Sequence, residues 1–191
     1  MNLKQSIFLI LLIWTFPSCK ESGLQTVSSQ GENEIKSAQT SSLDSNSRIK
    51  LLIDGDQISM DQVNLEKSYL QFYSSESDID YDASFTLSSL DGTQTISATI
   101  DGLQGEGKDL IEGKVDMTQN NSLLIFSDGK ETYRFIEGEI WDIFLEKATG
   151  KVRLKAAGKS IKGNAYAQTH ITTLEIEVQF KDIKTINYQK Q

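Results

Sequence analysis

Between Ile79 and Asp101, apolar and polar residues alternate almost without a break. Ile79, Tyr81, Ala83, Phe85 and Leu87 take one face, and Asp80, Asp82, Ser84, Thr86 and Ser88 take the other. A period of two sustained over this length predicts a half-buried strand. Asp91-Gly92 follows, a pair suited to the two positive-φ positions of a type I′ turn, and Ile96, Ala98 and Ile100 then alternate with Thr95, Ser97 and Thr99. Closure at Asp91-Gly92 sets Leu87 against Ile96, Phe85 against Ala98 and Ala83 against Ile100, with Ser88, Thr86 and Ser84 facing Thr95, Ser97 and Thr99. A slip of one residue would expose the whole apolar set, so turn and pattern specify one register.

The same reading predicts a second hairpin from Trp141 to Ala156 around Lys147-Ala148-Thr149-Gly150. Leu145 then faces Val152, Ile143 faces Leu154 and Trp141 faces Ala156 on the apolar side. Glu146 meets Lys151 and Asp142 meets Lys155 on the other, and such opposite-charge pairs contribute about 0.2 to 1 kcal/mol each. A third hairpin turns near Asp128-Gly129, where a two-residue and a three-residue loop give opposite facing. A last long strand runs from Ile171 to Phe180, with Leu174, Ile176, Val178 and Phe180 inward. Shorter strands are expected over 49–53, 67–73, 109–117 and 183–188. No proline follows Pro17 and no helical period extends beyond about three turns, so the expected fold is all-β. An antiparallel β-sandwich or small barrel of roughly nine to eleven strands, built from consecutive hairpins, closes that list.

The first residues follow a different pattern. Lys4 precedes the apolar run Ile7 to Trp14, and Phe16-Pro17-Ser18-Cys19 ends it. A basic start, an apolar core of about ten residues and a small residue before the break form a secretory signal. The run is short of the roughly 20 residues that a membrane-spanning helix needs. The segment resembles the lipoprotein class of signal, in which a lipobox ends in a cysteine that is diacylated and becomes the first mature residue. Ser18 and Cys19 match that motif, while Phe16 and Pro17 depart from its usual Leu and Ala, Ser or Thr. The resemblance implies a signal peptide over 1–18, lipidation of Cys19 and, through Lys20 at the second mature position, passage onward to the outer membrane.

Residues 20–47 are rich in Ser, Gln, Glu, Asn and Thr, with apolar residues too sparse to build a face. They read as the tether that follows Cys19, with an r.m.s. span of about 30 Å for 28 flexible residues. A single β-domain is expected over 48–191, long enough to bury a sizeable core. Cys19 is the only cysteine, so the domain must hold together without disulfides. The net charge of −8 argues against a nucleic-acid partner and against adhesion to anionic lipid by a basic patch, leaving the acyl chains to supply membrane affinity.

Candidate chemistry is sparse. Gly102 to Lys108 has the glycine and lysine spacing of a phosphate loop, but Asp109 stands where Ser or Thr is required and the context is strand to strand, so a glycine-rich connection is the better reading. His170 is the only histidine and lacks a Gly-x-Ser-x-Gly elbow, which favours a surface or strand-end role. Glu137 and Glu139 beside Trp141 would suit a glycosidase, yet the hairpin register turns Trp141 into the core and leaves two solvated acids. Tyr69 and Tyr73 are expected to be exposed, ordinary strand tyrosines. Asp78, Asp80 and Asp82 share one strand face about 7 Å apart, and Asp101 lies opposite Asp82. Such a like-charge pair calls for a neutraliser, so these four form a candidate calcium site; no other cofactor is expected. The expected function is non-enzymatic: an outer-membrane-anchored lipoprotein whose β-domain binds a ligand that the sequence does not name or supports an envelope assembly, an envelope protein or glycan being the candidate partner, with a carboxylate-dependent glycan hydrolase as the alternative.

Overall fold

A computed structural model describes residues 47–60, 62–75, 81–163, 165 and 168–187. The signal segment, Cys19, residues 20–46 of the tether, Asp78 and Asp80 lie outside the described residues. Among those described there are eleven strands and no helix. They are β1 (Arg48–Ile53), β2 (Asp56–Ile58), β3 (Tyr69–Tyr73), β4 (Ala83–Ser88), β5 (Thr95–Ile100) and β6 (Leu110–Asp116). β7 (Leu123–Ser127), β8 (Thr132–Glu146), β9 (Lys151–Lys162), β10 (Thr169–Gln179) and β11 (Asp182–Ile186) complete the set.

All eleven belong to one sheet, in the order β11-β3-β4-β5-β7-β8-β9-β10-β1-β2, with β6 also on β8. The long β8 makes this possible. Its first residues pair with β7 through Phe126↔Tyr133, and its last pair with β6 through Ile111↔Leu145, so two strands share one of its edges end to end. Every pairing is antiparallel except β11 on β3, which is parallel and makes the sheet mixed where an antiparallel one was expected. The apolar faces meet in one core. Phe85 of β4 packs 5.8 Å from Phe180 after β10, and Leu70, Leu87, Ile140 and Leu154 are wholly buried.

The β4–β5 register is the one that alternation predicts, pair for pair. Its turn is not. Ser89 N–H donates to Gln94 and Gly92 N–H to Ser89, and only Gly92 has a positive φ, so four residues, not two, close the loop. Both loop lengths have the same parity, which is why the register survives. The type I′ turn lies instead at Asp54-Gly55, where both residues have positive φ and Ile53 faces Asp56. At the third hairpin Ser127 faces Thr132, so the two central residues are Gly129 and Lys130. Only Gly129 has positive φ, the type II′ pattern, and Asp128 accepts from the N–H groups of Lys130 and Glu131.

The β8–β9 hairpin departs from expectation midway. Glu146↔Lys151 and Leu145↔Val152 hold, but a bulge at Asp142, with φ +52°, shifts the strand between Trp141 and Phe144. Ile140 therefore takes the inward place opposite Ala156, and Trp141, half-buried, faces Lys155 on the outer surface. Trp141 is not a core residue. The bulge gains an ion pair in exchange, because Asp142 reaches Arg153 at 3.0 Å.

Candidate functional site

Strands β1, β10, β9 and β8 run side by side, so their outward residues form rows across the sheet. One row reads Lys50, Glu175, Lys155, Trp141; the next reads Arg48, Glu177, Arg153, Phe144. Between them lies a cavity of about 610 Å³. Leu154 and Ile176 border it yet are almost fully buried, so what they offer is main chain. Gln57, Ser59 and Met60 bound it beyond β1. Its walls carry four cations against three carboxylates, a positive excess on a chain whose net charge is −8.

These charges are not all committed. Arg153 pairs with Asp142 and lies 5.4 Å over the Phe144 ring, and Glu177 is 3.3 Å from Lys151. Arg48, Lys50 and Lys155 have no carboxylate within 4.0 Å among the described residues. Such a concavity, with fixed polar groups over a main-chain floor, suits recognition of a charged ligand. Sequence reasoning missed it because its cations are spaced two apart on different strands, and only the sheet order brings them together.

The calcium candidates come together only in part. Asp82 does lie beside Asp101 at the end of the β4–β5 ladder, where its N–H donates to Ile100 at 2.9 Å. Its side chain is wholly buried, however, beneath the glycine-rich connection 102–108. The N–H groups of Leu103, at 2.7 Å, and Gly105 both donate to its carboxylate, with Gln104 between them in the left-handed region. Alternate amides arranged in this way around a left-handed residue resemble an anion-binding nest. The connection that looks like a phosphate loop does hold an acidic group, and the group is the chain's own Asp82. Burial pushes the Asp82 carboxyl above its ordinary range, against the lowering effect of Gly105 and Leu103. Asp101 spends an oxygen on the N–H of Asn121 at 2.9 Å. Among the described residues no group of three or more His, Cys, Asp or Glu is placed to hold a metal.

His170 sits at a strand end, as expected, being the second residue of β10, but it is not on the surface. It is 9% exposed, and its Nδ1 lies 2.7 Å from Asp54 of the β1–β2 turn, which also accepts from the Ile171 N–H at 2.8 Å. The ring meets Tyr133 edge-on at 5.5 Å, and its buried Nε2 has no hydrogen-bond partner among the described residues. Ser160, directly across the ladder, is also buried and shares its hydroxyl with Thr172 at 2.7 Å. The Nε2 side of His170 is therefore buried, without the open approach to a nucleophile that acyl transfer requires, while Asp54 is exposed. The pair pins the β1–β2 turn to β10. The His170 hydrogen bond and the Ile171 N–H hold the Asp54 carboxyl below its ordinary 3.8. A depressed carboxylate stabilises the fold above the unfolded value and loses that effect as pH falls through the folded one. Asp54→Asn, which tolerates the same positive φ, should lower the urea midpoint at pH 6 and less so near pH 2.5. An equal loss at both pH values would show that the charge contributes nothing.

Glu137 and Glu139 are solvated, as expected. Each is held by a lysine, Lys159 at 2.6 Å and Lys114 at 2.8 Å. Tyr69 is half-buried and Tyr73 is buried, not exposed. The Tyr73 ring meets Tyr81 edge-on at 5.8 Å and its hydroxyl lies 3.2 Å from Ser84. Tyr69 accepts from Thr86 at 3.2 Å and carries Lys184 over its ring. Among the described residues no helix is long and apolar enough to cross a membrane. Searches of family models, curated proteins and solved structures found no match for the chain.

Proposed function

We propose that the chain is a non-enzymatic, lipid-anchored protein of the outer membrane whose β-domain is a binding module that uses the charged cavity of β1, β10 and β9. The observation that carries the binding half of this reading is the disposition of charge. Cations in a concavity stand unpaired among the described residues, while the acids singled out as catalytic candidates are each held by a lysine. A glycosidase of the usual kind needs two carboxylates converging on one bond, one of them free to take up or release a proton. Glu137 and Glu139 stand two apart on one strand, each in its own ion pair, so the hydrolase is the weaker reading.

The anchoring half rests on the lipobox-like Phe16-Pro17-Ser18-Cys19. Cys19 is the only thiol available as an acyl acceptor. Metabolic labelling with a fatty acid should therefore mark the wild type, and Cys19→Ala should abolish the label and release the protein from the membrane fraction. Undiminished label in the variant would refute the anchor. The binding half is tested separately, by cross-linking the intact protein in its own envelope and comparing the captured products with those of Arg48→Glu/Lys50→Glu. Identical products would mean that the cavity is not the binding surface.

A further inference from the structure

The cavity borders an incomplete strand pairing. β1 is paired along its whole length with β10, from Arg48↔Glu177 to Ile53↔Thr172. On its other side β2 covers only Leu51 to Ile53, through Leu51↔Ile58, Leu52↔Gln57 and Ile53↔Asp56. After Ile58 the chain leaves the ladder, and Ser59 and Met60 bound the cavity without pairing to β1. Among the described residues, Arg48, Ile49 and Lys50 thus have a strand on one side only.

Alternation along β1 settles which groups face the gap. Asp54 N–H donates to Ile171 of β10, so the even-numbered positions of β1 direct their main-chain groups toward β10. The odd positions direct theirs to the other side, as Ile53 does in closing the two-residue turn on Asp56. Ile49 therefore presents both its N–H and its C=O to the gap. The Ser47 hydroxyl, buried at the lip of the same cavity, has no hydrogen-bond partner among the described residues.

We propose that this gap is a strand-addition site for an extended segment of a partner protein with the pattern acidic, apolar, acidic. Resting on the reading of the domain as a binding module, it names the chemistry of the partner. The middle residue of the segment exchanges two main-chain hydrogen bonds with Ile49. Its side chain points to the inner side, toward half-buried Ile49 and the Met60 that closes the core there. The residues before and after it point outward beside Arg48 and Lys50, within the roughly 5 Å of directly opposed side chains. Same-face neighbours in an extended segment repeat at about 7 Å, the spacing of Arg48 and Lys50 themselves, so one acid meets each cation. Main-chain bonds supply affinity and the alternating side chains supply specificity, as in other strand additions. Glu175 and Glu177, in the next strand, set the limit on how far acids are welcome.

The experiment follows the fluorescence anisotropy of a labelled acetyl-Thr-Glu-Val-Glu-Thr amide on titration with the full chain in detergent. Saturable binding that weakens with salt is expected, because exposed charges are screened over about 8 Å at physiological ionic strength. Arg48→Glu/Lys50→Glu should weaken it by about tenfold or more, and Lys130→Glu, in the distant β7–β8 turn, should leave it unchanged. Methylating the valine nitrogen of the probe removes the donor to Ile49 and should abolish binding to the wild type. No binding of the unmethylated probe at millimolar protein, or equal binding of the methylated one, would overturn strand addition. Either result leaves the cross-linking test of the binding module intact, so the two readings fail separately.

Discussion

Replacing Gly138 by alanine is expected to lower the melting temperature by roughly 10 °C. Gly138 of β8 faces Gly158 of β9, and the two main chains approach there more closely than side chains allow. A Cβ on Gly138 would lie 2.3 Å from the carbonyl oxygen of Ala157, and one on Gly158 would lie 2.0 Å from that of Glu137. Those obstacles are backbone atoms in the middle of a ladder, which cannot rotate away as a side chain would. Gly138 also has φ +133°, a region that other residues enter at a cost of about 1 to 3 kcal/mol. Added to an overpacking cost of similar size, the loss is about 3 kcal/mol or more, and a domain of this size loses roughly 2 to 4 °C per kcal/mol. Gly158→Ala has an ordinary φ, so its cost comes from the clash alone. Scanning calorimetry on both variants decides it; a fall under about 2 °C for Gly138→Ala would mean that the strands do not meet this closely.

Asp82→Ala should be comparably damaging, for a chemical reason. The substitution strands the N–H groups of Leu103 and Gly105 without an acceptor in a buried place, at about 1 to 3 kcal/mol each. Asp82→Asn keeps one acceptor and should lie between Ala and the wild type. The pH dependence is the more telling signature. Burial raises the Asp82 carboxyl above 3.8, so the folded state binds its proton more tightly than the unfolded chain does. Its contribution is therefore fullest below the unfolded value and declines as pH rises through the folded one. The stability gap between wild type and Asp82→Asn should widen as pH is lowered from 7 to 4, measured by urea midpoints. A gap that narrows instead would place the carboxylate in a setting that favours its charge.

What the sequence discloses about this molecule depends on whether the determinant is local. Leu87, Phe85 and Ala83 find Ile96, Ala98 and Ile100 because alternation is read within one hairpin, and a loop of two or four residues preserves the match. The Asp142 bulge escapes the same reading. Trp141 and Ile143 look like one inward series, and only the Arg153 partner on β9 and the positive φ at Asp142 show that the series is broken. Asp54-Gly55 carries as strong a turn signal as Asp91-Gly92, but β2 has only three residues and little alternation to support it. Asp82 was legible as a charge in need of neutralising. Its neutraliser was not, because a nest is made of main-chain amides that no residue type advertises. The cavity and the Asp54–His170 pair join residues more than a hundred positions apart, beyond any local pattern.

The one parallel pairing has a consequence for how the chain acquires its structure. Synthesis proceeds from the N-terminus, yet β1 has only the three-residue β2 beside it until β10 has been made, and β3 lacks its second neighbour until β11 follows. The central hairpins β4–β5, β7–β8 and β8–β9 form from adjacent segments, but closure of both ends of the sheet waits for the last strands. Contacts of such long sequence separation fold slowly. A growing polypeptide of this design therefore remains incompletely folded until nearly all of it has been translated.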